Sequence, residues 1–220
     1  MVTAKPILTI ETLKLEAKSF ATIESTYDEP ALYGVTDGKA VGTYLEHKFV
    51  THLMESYDFA SGNSAAGIDI PSVNVDIKVT SIKQPQSSCP FKSARQKIFG
   101  LGYHVVVFVY EKTDNDVART GRLCMKHTIF VDKEKTGDFQ MTSGLINILE
   151  NSGNEDDLVA FMQDKNLPID DMEAHVIAKE LLIKPPQLGY LTISNALQWR
   201  LQYGRVISHA GTTDGIWRIT

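Results

Sequence analysis

The spacing of apolar positions divides the chain into a first part that mixes helices with strands and a last third dominated by helices. After the turn dipeptide Asp37-Gly38, residues Val41, Tyr44, Leu45, Phe49 and Leu53 recur at helical spacing. This predicts an amphipathic helix over about 39–57, with Glu46 at the edge of its apolar stripe. Residues 59–66, rich in Ser, Gly, Asn and Ala, read as a loop leading to Ile68-Asp69-Ile70-Pro71. Val73, Val75, Ile77 and Val79 then alternate with Asn74, Asp76, Lys78 and Thr80, which predicts a strand with its polar side chains on one face.

Residues 85–90 read as a loop and 93–99 as a short helix, broken by Gly100-Leu101-Gly102. The apolar run 103–110 predicts a strand buried on both faces. Another strand is expected over 122–132 and a helix over 142–151. The order predicts an α/β fold with a central mixed β-sheet flanked by helices. Beyond Ser152-Gly153-Asn154 the pattern turns helical over 156–164, 171–182 and 194–203, followed by a hairpin from 205–208 and 215–219. Three helices and a small hairpin are the order of a winged helix. The expected domains are therefore 1–153 and 154–220.

The chain has 220 residues, 43% of them hydrophobic and 22% charged, enough to bury a core. Two cysteines, Cys89 and Cys124, cannot form a disulfide framework, and the first residues lack a secretion signal, so a reducing cytoplasm is expected. The longest apolar run is far short of the roughly 20 residues a membrane span requires. Lys and Arg number 22 against 27 Asp and Glu, for a net charge of −5, which by itself argues against a nucleic-acid partner. The distribution argues otherwise. Residues 77–110 carry five basic and no acidic side chains, and 184–220 carry four basic and one acidic, whereas 150–179 carry eight acidic and two basic. Two basic zones around an acidic one suit a protein whose DNA-facing surfaces are local.

Candidate chemistry centres on Asp69, Asp76 and Lys78, spaced Asp, six residues, Asp-x-Lys. On a strand Asp76 and Lys78 emerge on one face, and a bend at Pro71 brings Asp69 against them. Two carboxylates make a hard oxygen site suited to Mg²⁺ with waters and substrate phosphate. Phosphodiester hydrolysis needs a hydroxide at neutral pH and relief of charge on the phosphorus oxygens; a divalent cation supplies both and a lysine adds to the second. An ion pair on a sheet is the plainer account of Asp76 beside Lys78, so the motif gains weight only from its setting. His47 and His52 lie five apart, a poor metal-ligand spacing, and neither cysteine has a second one nearby.

In that setting the sequence resembles the PD-(D/E)xK nuclease superfamily, in particular small type II restriction endonucleases. The matching elements are Gly42-Thr43-Tyr44-Leu45-Glu46, Gly67-Ile68-Asp69-Ile70-Pro71, Val75-Asp76-Ile77-Lys78 and Ala94-Arg95-Gln96-Lys97, across about residues 39–132. Ile68 stands where that family usually has proline. The resemblance implies a restriction-endonuclease-like core and Mg²⁺-dependent cleavage of double-stranded DNA leaving 5′-phosphate ends. It implies Asp69 and Asp76 as metal ligands, Lys78 as catalytic cation, Glu46 as accessory metal or water ligand and Gln96 as an orienting group. Lys83 and Arg95 are candidate phosphate contacts. A homodimer at the moment of cleavage and a cognate DNA methyltransferase are the implied partners.

If 194–203 is the third helix of a winged helix, Ile193, Leu197 and Leu201 pack inward while Asn195, Gln198, Gln202 and Arg205 share the opposite face. Asn and Gln pair bidentately with adenine and Arg with guanine, so this face suits major-groove reading. Trp199 and Trp217 read as core. Two other readings stay open: a repair or recombination nuclease of the same superfamily, and a winged-helix regulator carrying an inactive nuclease-like domain.

Overall fold

A computed structural model describes residues 4–60, 62, 67–193 and 200–220. In chain order its elements are α1 (Ile10–Glu24), β1 (Asp28–Glu29), α2 (Gly38–Ser56), β2 (Val75–Ser81), β3 (Gln86–Ser88), α3 (Ala94–Phe99), β4 (His104–Asn115) and β5 (Thr120–Val131). They continue with α4 (Phe139–Glu150), α5 (Glu155–Asp164), α6 (Asp171–Ile183), β6 (Thr192–Ile193), β7 (Arg200–Gln202), α7 (Gly204–His209) and β8 (Ile216–Arg218). The chain divides into two compact units. One comprises Met1–Ser87, His104–Val131 and Ile207–Thr220, the other Ser88–Tyr103 and Asp132–Val206.

The first unit is built on a mixed sheet ordered β1-β5-β4-β2, with β8 also pairing to β5. The β2–β4 pair is parallel, with Ile77 opposite Val106, while β4 and β5 form a long antiparallel ribbon. β4 is apolar on both faces because both are covered: Val105 through Tyr110 are all at most 4% exposed. Val106, Phe108 and Tyr110 share one core with Leu13, Ala17 and Phe20 of α1 and Leu45, Phe49 and Leu53 of α2. The Phe20, Phe49 and Phe108 rings meet with centroids 5.0–5.6 Å apart.

α2 and β2 lie close to their expected limits, and β4 and β5 each run further into the ribbon than the apolar run suggests. α1 stands outside the sequence expectation. Its signals are a Thr9 hydroxyl that caps the Thr12 N–H, a reciprocal bond from the Thr9 N–H to the Thr12 hydroxyl, and buried residues Leu13, Ala17, Phe20 and Ala21.

In the second unit α3, α4, α5 and α6 enclose Ile98, Met141, Leu145, Leu158, Met162, Ile177 and Leu181. The units therefore do not divide at residue 153: α5 and α6 share a core with α3 and α4. Gly137 and Gly189 meet so closely that a Cβ on Gly189 would lie 2.1 Å from the Gly137 carbonyl oxygen.

The end of the chain corrects the winged-helix expectation. Residues 194–199, which include Asn195, Gln198 and Trp199, lie outside the described residues. Arg200–Gln202 is a strand, β7, pairing antiparallel with β6, rather than the end of a helix. Residues 205–208, expected as a strand, belong to helix α7. Ile216–Arg218 is a strand, but its partner is β5, with Trp217 opposite Phe130, so it is no wing. Segments this short do not distinguish a period of 2 from 3.6, and pairing with distant chain decides their form. Trp217 is 44% exposed, and the Lys14 ammonium sits 4.4 Å from the centres of both its ring and that of Phe130.

Candidate active site

The bend that brings the two aspartates together is a hairpin. Ile70 and Val75 exchange both backbone bonds, at 2.9 and 3.1 Å, in an antiparallel bridge. Between them lie the 3-10 turn Pro71–Val73 and Asn74, whose backbone is left-handed at φ 56°, ψ 48°. One residue outward from the bridge on either side stand Asp69 and Asp76, whose side chains interact. The six-residue interval between the aspartates is thus the length of this hairpin.

Among the described residues β2 ends the sheet order, and on the edge that carries the Ile70–Val75 bridge the Asp69 carboxylate accepts the Ile77 N–H at 2.7 Å. On β2, Lys78 Nζ lies 2.5 Å from Asp76 Oδ2. Asp76 is 4% exposed, and burial pushes its carboxyl up to about 6. Lys78 pulls against this, while the neighbouring Asp69 carboxylate adds to it. Glu46, on α2, is also raised, first by burial and then by Asp69, with Lys78 opposing. Helix and hairpin therefore join Glu46, Asp69, Asp76 and Lys78 in one electrostatic cluster.

Three carboxylates against one ammonium leave the cluster short of positive charge, which is why burial and mutual repulsion raise Glu46 and Asp76. The donor set fits Mg²⁺, which binds through one or two carboxylates and keeps waters and substrate phosphate as its other ligands. Among the described residues no three His, Cys, Asp or Glu side chains are gathered into a ready-made cage. The fit rests on the Asp69 and Asp76 pair, with Glu46 beside it.

The other expected site residues have mixed placements. Gln96 Oε1 accepts the Lys92 N–H at 2.7 Å and its Nε2 donates to the Leu101 carbonyl at 3.3 Å, so its amide ties two loops of the second unit together. Arg95 pairs with Glu180 of α6 and lies over the Phe99 ring. Lys83 is exposed just beyond β2. Gln202 is in β7, opposite Thr192, and the Arg205 guanidinium stacks on the Phe139 ring at 3.4 Å, so these two do not extend one helix face. A residue the motif search passes over is Asn74: an Asn closing a Pro-Ser-Val turn before a strand is its only signal.

The chain is similar to known proteins over nearly its whole length. The model of the family described as "Type II restriction enzyme NspV" matches residues 7–218. A protein named Type II restriction enzyme NspV, from Nostoc sp. (strain ATCC 29411 / PCC 7524), is 65% identical over 210 residues, covering 96% of each chain. No solved structure matches the chain.

Proposed function

The chain belongs to the NspV family of type II restriction enzymes, and from that premise we propose that it cuts double-stranded DNA at a specific sequence with Mg²⁺, using Asp69, Asp76 and Lys78. As a member of that family it is a type II restriction endonuclease, a site-specific deoxyribonuclease. The observation that supports the residue assignment is the interaction of the Asp69 and Asp76 side chains with Lys78 2.5 Å from the second.

In this reading Asp69 and Asp76 would hold the cation, with Glu46 contributing directly or through water. When bound, Mg²⁺ supplies positive charge that makes hydroxide available at neutral pH and offsets charge growing on the phosphorus oxygens. Lys78 keeps its proton on Nζ and turns it toward the scissile phosphate, stabilising the charge that develops there. Asp69 is kept in place by the Ile77 N–H, so its carboxylate is aimed before DNA arrives. Glu46, raised by burial, is suited to accept a hydrogen bond from the attacking water and orient it. The products carry 5′-phosphate ends.

Scission of both strands calls for two such centres, which supports a homodimer at the moment of cleavage. An enzyme that cuts its host's own sequence needs a methyltransferase of matching specificity, and its substrate places it in the cytoplasm of a bacterium or archaeon. Asn195, Gln198 and Gln202 are proposed base contacts through their amides, Lys83 a phosphate contact. Arg95, Arg205 and Gln96 hold partners of their own here: Glu180, the Phe139 ring, and the Lys92 N–H with the Leu101 carbonyl.

The test is incubation of plasmid or phage DNA with the protein and Mg²⁺, beside Asp76→Ala and Lys78→Ala. Discrete fragments, lost by at least about 100-fold in rate in both variants, are expected. Fragments that persist unchanged in both would remove these residues from the chemistry.

A further inference from the structure

We propose that Asn74 is a positioning residue: its left-handed backbone sets the hairpin register that places Asp69 opposite Asp76. The inference rests on the reading of Asp69 and Asp76 as the catalytic carboxylates. It adds a residue that acts on the site through the path of the chain.

Three observations converge on residue 74. Its conformation, φ 56° and ψ 48°, is one that asparagine and glycine adopt readily and most L-residues resist, β-branched ones most strongly. Its N–H donates to the Pro71 carbonyl at 3.1 Å, closing the turn. Its carbonyl accepts the His104 N–H at 2.9 Å, tying the turn to the first residue of β4. Residue 74 thus joins the hairpin to the sheet.

The consequence for the site follows from strand geometry. A hairpin whose turn ends in a left-handed residue has its pairing set by that residue, here Ile70 to Val75. A slip of one position sends every side chain of one strand to the other face, which would turn Asp69 away from Asp76. Ile70, fully buried, resists the slip through its packing, so a strained residue 74 shows itself as a displaced Asp69 and a lost Asp69–Ile77 bond rather than as global unfolding. Asn166, in the loop between α5 and α6, has a similar left-handed backbone at φ 49° in the other unit, and serves as a matched control.

The experiment compares Asn74→Val, Asn74→Gly and Asn166→Val. Amide hydrogen exchange of Ile77 is followed in the metal-free protein, and kcat and KM are measured with Mg²⁺. Asn74→Val is expected to lose about tenfold or more of the Ile77 protection and about tenfold or more of kcat, with KM within about twofold of the parent. Asn74→Gly is expected to keep both within about threefold, because glycine enters this conformation freely. Asn166→Val is expected to lower the melting temperature as Asn74→Val does while leaving kcat and Ile77 exchange unchanged. The proposal is overturned if Asn74→Gly fails as badly as Asn74→Val, which would assign the effect to the Asn side chain. It is equally overturned if Asn74→Val keeps Ile77 protected and turns over normally, or if Asn166→Val loses kcat to the same degree. Failure of the catalytic assignment is recognised separately, by cleavage that survives Asp69→Ala, whereas Ile77 exchange reads the hairpin without any cleavage.

Discussion

Replacing Asp76 by asparagine should abolish cleavage and, in the absence of metal, stabilise the fold. Asp76 is 4% exposed, and its carboxyl titrates near 6 because burial and the adjacent Asp69 outweigh the attraction of Lys78. A carboxyl raised in the fold is a penalty on the ionised form. The penalty is absent below the unfolded value near pH 4, grows as the pH climbs through about 6 and is complete above that. A rise of about two pH units corresponds to about 3 kcal/mol, already net of Lys78. Asparagine is neutral at every pH and retains a donor for Asp69, but it does not reproduce the acid's geometry, so about 1–3 kcal/mol is the expected gain. For a chain of this size that is about 3–10 °C in melting temperature. The assay is thermal unfolding in EDTA from about pH 4 to about pH 8, parent against Asp76→Asn, with the difference largest at the alkaline end and closing toward the acid end. A variant less stable than the parent at about pH 8 would refute the reasoning, since Lys78 would then hold the ionised carboxylate more strongly than burial opposes it. A gain of equal size at all pH values would refute it differently, by showing that packing rather than charge is responsible.

Other expectations follow from the same structure. Lys48 pairs at 2.8 Å with Glu24, whose side chain is 2% exposed, so Lys48→Met should strand a buried carboxylate; urea denaturation should show a loss of about 2–3 kcal/mol, discounted because Lys48 itself is partly exposed. Gly189→Ala drives a Cβ to 2.1 Å from a backbone oxygen that cannot turn aside, and should cost about 3 kcal/mol or more in the same measurement. Glu46→Gln keeps the shape of the side chain but removes a carboxyl that Asp69 already crowds; it should lower kcat by about tenfold or more and raise the Mg²⁺ concentration needed for half-maximal rate, read from a metal titration of plasmid cleavage. The Asp28–Arg122 pair lies at the surface with both side chains about half exposed, and Asp28→Asn should leave the melting temperature within about 2 °C of the parent.

The amino-acid sequence by itself determined the turn and strand that carry Asp69, Asp76 and Lys78. Alternation through Thr80 made a strand from Val75 whose successive side chains oppose each other, and a proline turn five residues before Asp76 carried the second carboxylate. A hairpin of that length has few geometries, which is why Asp69, Asp76 and Lys78 were legible as a group and Glu46 as their neighbour on a helix edge. The apolar run of β4 was legible for a similar reason: only a strand covered on both faces suits so many consecutive valines. Local rules did not reach further. Gln96 and Arg95 had suitable chemistry, yet their partners, the Leu101 carbonyl and Glu180, are chosen by how the second unit packs. The last residues show the limit most clearly. Ile216–Arg218 is a strand because β5 offers it Ile129, Phe130 and Val131, and α5 and α6 share a core with α3 and α4 because Leu145, Leu158 and Ile177 meet there. In three-residue segments local propensity is worth less than one tertiary pairing, so the form of this end was decided only when distant parts of the chain came together.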